Sequence, residues 1–331
     1  MLAAGGLDIA DAFSTDLYTG NSTARAITNG VDLSGEGGLV WTKSRDLSYD
    51  HNLNDTERGT SAGRLVTNST AAQIGFTYGI SSFNNDGYSL TPDNPYNATG
   101  YTYVAWTFRK APKFFDVVTW TGNGGSQTIP HNLGVEPGML IARAVSATGN
   151  WMVQHISRPS AYLRLNETRA EIGFSKFASV TDESFVANMG GSYSSGPPIA
   201  NVEALNVGTV QYVAYLFAHD TDADSVIQCG SYTGNGSTSG PVVTLGWEPQ
   251  WLMIKRSDGS GSWYLQDNVR NTSNPRNSVL FPNASVAEQA FSSYDVDFTS
   301  TGFQILSSNV NAGYNTSGGT YIYMAIRKEG A

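Results

Sequence analysis

The side chains in this sequence that could do chemistry are scattered carboxylates, four histidines, one thiol and a recurring set of aromatics. Glu36, Glu136 and Glu248 each stand in a turn ahead of an apolar run: Glu36-Gly37-Gly38-Leu39, Glu136-Pro137-Gly138-Met139 and Glu248-Pro249-Gln250-Trp251. A carboxylate so placed can touch a ligand, or it can accept backbone N–H bonds from its own turn. Tyr18, Trp120 and Tyr232 each precede Thr-Gly-Asn. Such a ring can stack on a sugar, because both faces are rigid and amphipathic, or it can pack beneath its own turn. These six residues are the candidate ligand-binding set.

Other chemistries find less support. A glycosidase needs two carboxylates held roughly 5–10 Å apart. Asp46, Asp50, Asp55 and Glu57 cluster early in the chain, with no matching set later. That leaves a depolymerase site in one part of the chain as a lesser expectation, with Asp46, Asp50 and Asp55 as the targets. Asp220, Asp222 and Asp224 have the alternate spacing that opens a calcium loop, but Ser225 stands where that loop needs Gly and Ser231 where it needs Glu. A solvated linker is the expectation there, with no metal. His51, His131, His155 and His219 show no zinc-binding spacing. Gly122-Asn123-Gly124-Gly125 lacks the Lys-Ser/Thr of a phosphate loop. Cys229 is the single cysteine, so an intrachain disulfide is impossible, and a small core residue is expected there. No catalytic residue and no cofactor is expected.

The elements that would position these residues are β-strands. Only 14 % of the 331 residues are charged, too few for the wet faces of a helical bundle, while 36 Gly and 38 aromatics favour strands and tight turns. The net charge of −9 offers no basic stripe for nucleic acid. No run of 18 apolar residues supports membrane insertion. Residues 1–13 lack a basic n-region followed by an apolar stretch, so a secretory leader is not expected.

The clearest organisation is self-similarity. Tyr18-Thr19-Gly20-Asn21 returns as Trp120-Thr121-Gly122-Asn123 and as Tyr232-Thr233-Gly234-Asn235. The Glu-led turn, a Trp-led strand in the last two copies, an Asn-containing turn, a Phe/Gly/Tyr segment and a closing strand follow in the same order. The closing strands begin Tyr103-Val104-Ala105-Trp106, Tyr212-Val213-Ala214-Tyr215 and Tyr323-Met324-Ala325-Ile326. A unit of about 100 residues is far longer than a solenoid rung and large enough to bury a core of its own. The expectation is an all-β chain of three tandem, jelly-roll-like β-sandwich domains: an N-terminal arm over 1–16, then repeats over 17–112, 113–220 and 221–331. Val104, Trp106 and Phe108 should share a core-facing side. Ala284 to Phe291 is the one short helical candidate.

These landmarks, together with Ile129-Pro130-His131-Asn132-Leu133-Gly134-Val135-Glu136-Pro137-Gly138 and Leu39-Val40-Trp41-Thr42-Lys43-Ser44-Arg45-Asp46, resemble the tandem repeat of tail-fibre-like virion proteins of tailed bacteriophages, especially marine phages and cyanophages. The resemblance runs from about residue 13 to 328. The third copy departs from it, with Ser239-Gly240-Pro241-Val242 in place of the Pro-His-Asn-Leu segment. The resemblance implies a virion component at the tail or head surface, made in the host cytoplasm, and implies no catalytic residues. The expected role is a tail fibre or appendage subunit that binds host-surface glycan; a capsid decoration or cement protein is the alternative. Expected partners are other virion proteins and further copies of the chain, a trimer being the usual closed symmetry.

Overall fold

The computed structural model describes residues 6–75, 78–92, 95–188, 204–307 and 313–331. The described residues are almost entirely strand and turn, and every strand pair is antiparallel. Each repeat builds a larger sheet and a three-stranded one. In the first repeat the larger sheet runs in the order Phe13–Thr19, Thr102–Arg109, Gly38–Ser44, Asn52–Asp55, Leu65–Val66. The second repeat has the same order, from Phe115–Thr121 through Gln211–Ala218, Pro137–Ala144, Met152–His155 and Ala161–Arg164, and adds Ile172–Gly173 at the edge. The third follows with Ile227–Thr233, Thr320–Arg327, Pro249–Arg256 and Trp263–Asp267. The three-stranded sheets, centred on Gly87–Leu90, Ser184–Asn188 and Gly302–Ile305, cover one face of each larger sheet. An all-β sandwich fold is therefore what the sequence adopts.

The threefold repeat has a local cause at its Thr-Gly-Asn motif. Gly20, Gly122 and Gly234 lie against the backbone of a distant turn. A Cβ there would fall 2.1, 2.1 and 2.3 Å from the carbonyl oxygens of Ala98, Val207 and Thr316. Only Gly permits that approach. The next residue's N–H donates to the side-chain oxygen of a matching Asn: Asn21 to Asn97, Asn123 to Asn206, Asn235 to Asn315. One lock is thus built three times.

The strands carry apolar residues on both faces, and the two faces meet different partners. In Thr102–Arg109, Tyr103 and Ala105 join Val40 and Tyr88 in the interior of the first sandwich. Val104, Trp106 and Phe108 turn the other way, as expected of a core-facing side, into a core that all three repeats share. Leu39, Met139 and Trp251 occupy one equivalent position in that common core, and Trp41, Ile141 and Met253 another. At its centre the Phe108 ring lies 5.5 Å from Phe217 and 6.0 Å from Trp251, so side chains from all three repeats touch.

Three expectations are corrected. The repeats are not closed on both sides: the first and third keep interiors of their own, while the back of each larger sheet packs into a core shared with its neighbours. The N-terminal arm is not an arm in its described part: Asp8 caps the short helix Ile9–Ala12, and Phe13–Thr19 pairs along its whole length with Thr102–Phe108. No α-helix forms over 284–291; Gln289–Ala290 is a short strand on Ser278–Val279, and Ser292–Tyr294 is a single 3₁₀ turn. The isolated helical spacing there is overridden by pairing at a sheet edge.

Candidate functional site

The contacts between repeats run in one direction and close a ring. Trp151 Nε1 in the second repeat donates to the Val66 carbonyl of the first, 2.8 Å. Trp263 Nε1 in the third donates to the Arg164 carbonyl of the second, 2.9 Å. At the equivalent place in the first repeat stands His51, which accepts from Trp41 Nε1 at 3.0 Å and makes no matching hydrogen bond across the junction among the described residues. A second set repeats the cycle. Tyr215 Oη donates to Asp55 Oδ2 (2.8 Å), Trp106 Nε1 to Asp267 Oδ2 (3.2 Å), and His155 Nε2 to the Tyr323 carbonyl (3.0 Å). Asp55 and Asp267 are each neutralised by a buried arginine three residues on, Arg58 at 2.6 Å and Arg270 at 2.5 Å. His155 takes the equivalent place in the second repeat, where it is buried without such a partner.

A third set involves the edge segments that leave each repeat, here called hooks. Gln73, Glu171 and Glu288 donate their backbone N–H to the carbonyls of Val145, Ser257 and Arg45, each in the neighbouring repeat. A buried cation lies beside each junction, two residues before the accepting carbonyl. Arg143 donates to the carbonyls of Ser69, Thr70 and Ala71 and lies over the Trp151 ring. Lys255 donates to the Thr168 carbonyl. Lys43 caps Ser44 and Leu47 of its own loop, with Glu288 near enough to favour its charge. Burial pulls Lys43 and Lys255 down to about 8 and Arg143 to about 10, because the charged form loses water. A basic residue recurring inside an apolar strand was the signal in the sequence that could have found this set.

The six candidate binding residues divide. Tyr18, Trp120 and Tyr232 sit beneath their turns, each 8 % exposed and stacked on Tyr103, Tyr212 and Tyr321 at 5.2, 5.1 and 4.9 Å. Tyr18 and Tyr232 donate to the Tyr96 and Tyr314 carbonyls, and Trp120 to the Leu205 carbonyl. Each ring is thus nearly buried, with one face against its tyrosine. Glu36 is exposed, 3.8 Å from Arg109. Glu136 is exposed near His219, and Glu248 pairs with Lys328 at 3.1 Å. The structure does not bring the three together at one place, and two of them hold surface cations.

The early carboxylates are also dispersed among separate tasks. Asp46 accepts from the Thr102 N–H and hydroxyl, Asp50 from Asn68, Asp55 from Arg58 and Tyr215, and Glu57 from Lys110. The carboxylate oxygens of Asp220, Asp222 and Asp224 do approach within 4.8 Å of one another. Lys113, where the first repeat passes into the second, lies 3.5 Å from Asp220 and 2.8 Å from Asp222, supplying the counter-charge.

An open cleft lies at one of the junctions. A cleft of ≈ 390 Å³ separates the first and second repeats. It is lined by Glu57, Gln73, Thr119, Thr121 and Gln211, together with Trp120 and Tyr212. Arg58 also lines it, but its guanidinium is spent on Asp55, the Gln73 side chain and the Leu53 carbonyl. The cleft offers hydroxyls and amides beside aromatic rings, which suits a polyhydroxylated ligand and provides no nucleophile–base pair. Of the candidate set only Trp120 reaches it; Gln73 and Gln211 were missed, because they meet across a junction between repeats.

A family model described as a domain of unknown function (DUF7483) matches residues 8–329, and the chain belongs to that family. No curated protein matches the chain.

Proposed function

We propose that the chain is a non-catalytic structural subunit of a tailed-phage virion, a tail fibre or appendage component that binds host-surface glycan in the cleft between its first two repeats. The observation that carries this reading is the closed ring: three copies of one sandwich, locked head to tail by buried hydrogen bonds, pack around one shared core. A polar cleft held between packed repeats serves binding, since little ordering entropy is lost on contact. Asp46, Asp50, Asp55 and Glu57 each hold a hydrogen-bonding partner within the fold, which favours binding over hydrolysis at those residues. The tandem motifs resembling phage virion proteins supply the setting.

Two measurements test the proposal. Purified protein is applied to a glycan array and to host cells, beside the Gln211→Ala and Gln73→Ala variants. Binding that both variants weaken supports the cleft; no adsorption at physiological salt overturns the glycan role. A virion map at moderate resolution tests the setting. Density on the capsid instead of the tail would favour the second reading, a decoration protein, which the compact three-repeat body without a fibrous shaft among the described residues also suits.

A further inference from the structure

The three hook residues are equivalent in backbone and unlike in charge. Gln73, Glu171 and Glu288 each donate their N–H to a carbonyl of the neighbouring repeat. An arginine meets each side chain: Arg58, Arg158 and Arg270, which follow Asp55, His155 and Asp267 by three residues. At two junctions the contact is an ion pair, Glu171 with Arg158, and Glu288 with Arg270 and Arg45 at 2.9 and 2.7 Å. At the first junction the charge of Arg58 goes to Asp55, and the hook residue is an amide. Arg58 Nη1 donates to Gln73 Oε1 at 2.7 Å, which leaves the NH2 end of Gln73 as a donor in the lining of the cleft.

The rest of the lining lacks a free positive charge. Thr119, Thr121 and Gln211 are exposed and uncharged. Glu57 is exposed and held by Lys110 at 2.7 Å, but Lys110 also faces Asp116 at 3.4 Å, one cation between two carboxylates. With Arg58 cancelled by Asp55, the lining residues and their ion-pair partners leave one negative charge over. We infer that the cleft selects an uncharged sugar and turns away acidic ones, with the Gln73 amide as donor to a sugar oxygen and Glu57 as the discriminator. The inference rests on the glycan-binding reading of the cleft and adds the class of sugar. The carboxylate of an acidic sugar would meet Glu57 with no free cation in the lining, a repulsion that weakens binding about tenfold at low salt and less when screened. The hydroxyls of an uncharged sugar both donate to a carboxylate and accept from an amide, so they satisfy Glu57 and Gln73 alike.

The test uses the full chain and matched oligosaccharides of glucan, mannan and galactan, each beside its counterpart oxidised at C6 to the uronic acid. Affinities are read by NMR titration at about 20 mM and about 500 mM salt. A neutral oligosaccharide should bind about tenfold more tightly than its oxidised counterpart at low salt, and the gap should narrow at high salt. Glu57→Gln, which keeps an acceptor for Lys110, should bring the pair to within about twofold. Gln73→Glu, which rebuilds the hook pair of the other two junctions, should weaken the neutral sugar about tenfold. An oxidised member that binds as tightly as its neutral counterpart overturns the inference and leaves glycan binding in place. An unchanged gap in Glu57→Gln, or undiminished affinity in Gln73→Glu, overturns it as well. Absence of binding to every pair and to the glycan array overturns it together with the glycan role.

Discussion

His155 is a buried base at a junction where the equivalent residues of the other repeats are buried acids, and this makes the fold acid-sensitive in a measurable way. Its Nε2–H donates to the Tyr323 carbonyl of the third repeat, and its Nδ1 accepts the Ser157 N–H at 3.2 Å. A proton on Nδ1 would break the second bond and leave a charge in a dry interior. Burial accordingly pulls His155 from 6.5 to about 4, the Tyr323 carbonyl offsetting only part of the effect. The folded value lies below the unfolded one, so the contribution is fully present above pH 6.5 and is lost as the pH falls from 6.5 toward 4. Between about pH 7.5 and pH 4.5 this single group costs about 2.5 kcal/mol, or roughly 3.5 °C in Tm for a chain of this size. The assay compares calorimetric Tm for the native chain and His155→Gln at both pH values. The glutamine amide can still donate to the Tyr323 carbonyl but cannot take up a proton. Acid should lower the native Tm by about 3.5 °C more than that of the variant, other carboxylates cancelling in the difference. Equal acid shifts in the two proteins would refute the reasoning. His51, also buried and held well below its usual range, adds a loss of the same sign to both proteins.

Arg143→Met should cost about 2–4 kcal/mol, by removing charged hydrogen bonds to the Ser69 and Ala71 carbonyls and the contact with Trp151; hydrogen exchange over residues 66–71 should accelerate selectively. Gly122→Ala forces a methyl to within 2.1 Å of the Val207 carbonyl and should destabilise by about 2–4 kcal/mol in urea unfolding, with the m-value unchanged. A fragment of residues 113–220 should fail to give a dispersed NMR spectrum, because Trp151 and Tyr215 lose the Val66 and Asp55 partners that satisfy them; a well-dispersed spectrum would show that a repeat is an independent domain.

The all-β class, the three copies and the Thr-Gly-Asn lock were legible in the residues because each rests on local chemistry. Two-residue periodicity, turn-forming glycines and a short aromatic-Thr-Gly-Asn string recur whatever lies around them. The candidate site was legible only at Trp120, and even there the ring that lines the cleft is nearly buried, with one face against Tyr212. Gln73 and Gln211 carry no signal of a cleft, and the recurring Lys43, Arg143 and Lys255 show in the sequence only that they recur, not what they hold. Their roles exist only where two repeats meet.

What the sequence determined alone is therefore the unit: which residues form strands, where they turn, and that one face of each larger sheet is covered from within its own repeat. Tertiary structure decided where the second face goes. Gly38–Ser44 is buried along its whole length, more than one sandwich interior can account for. Burying that remaining apolar surface required the other two repeats, and hydrogen bonds to partners roughly 85 to 170 residues away could be satisfied only once the ring had closed.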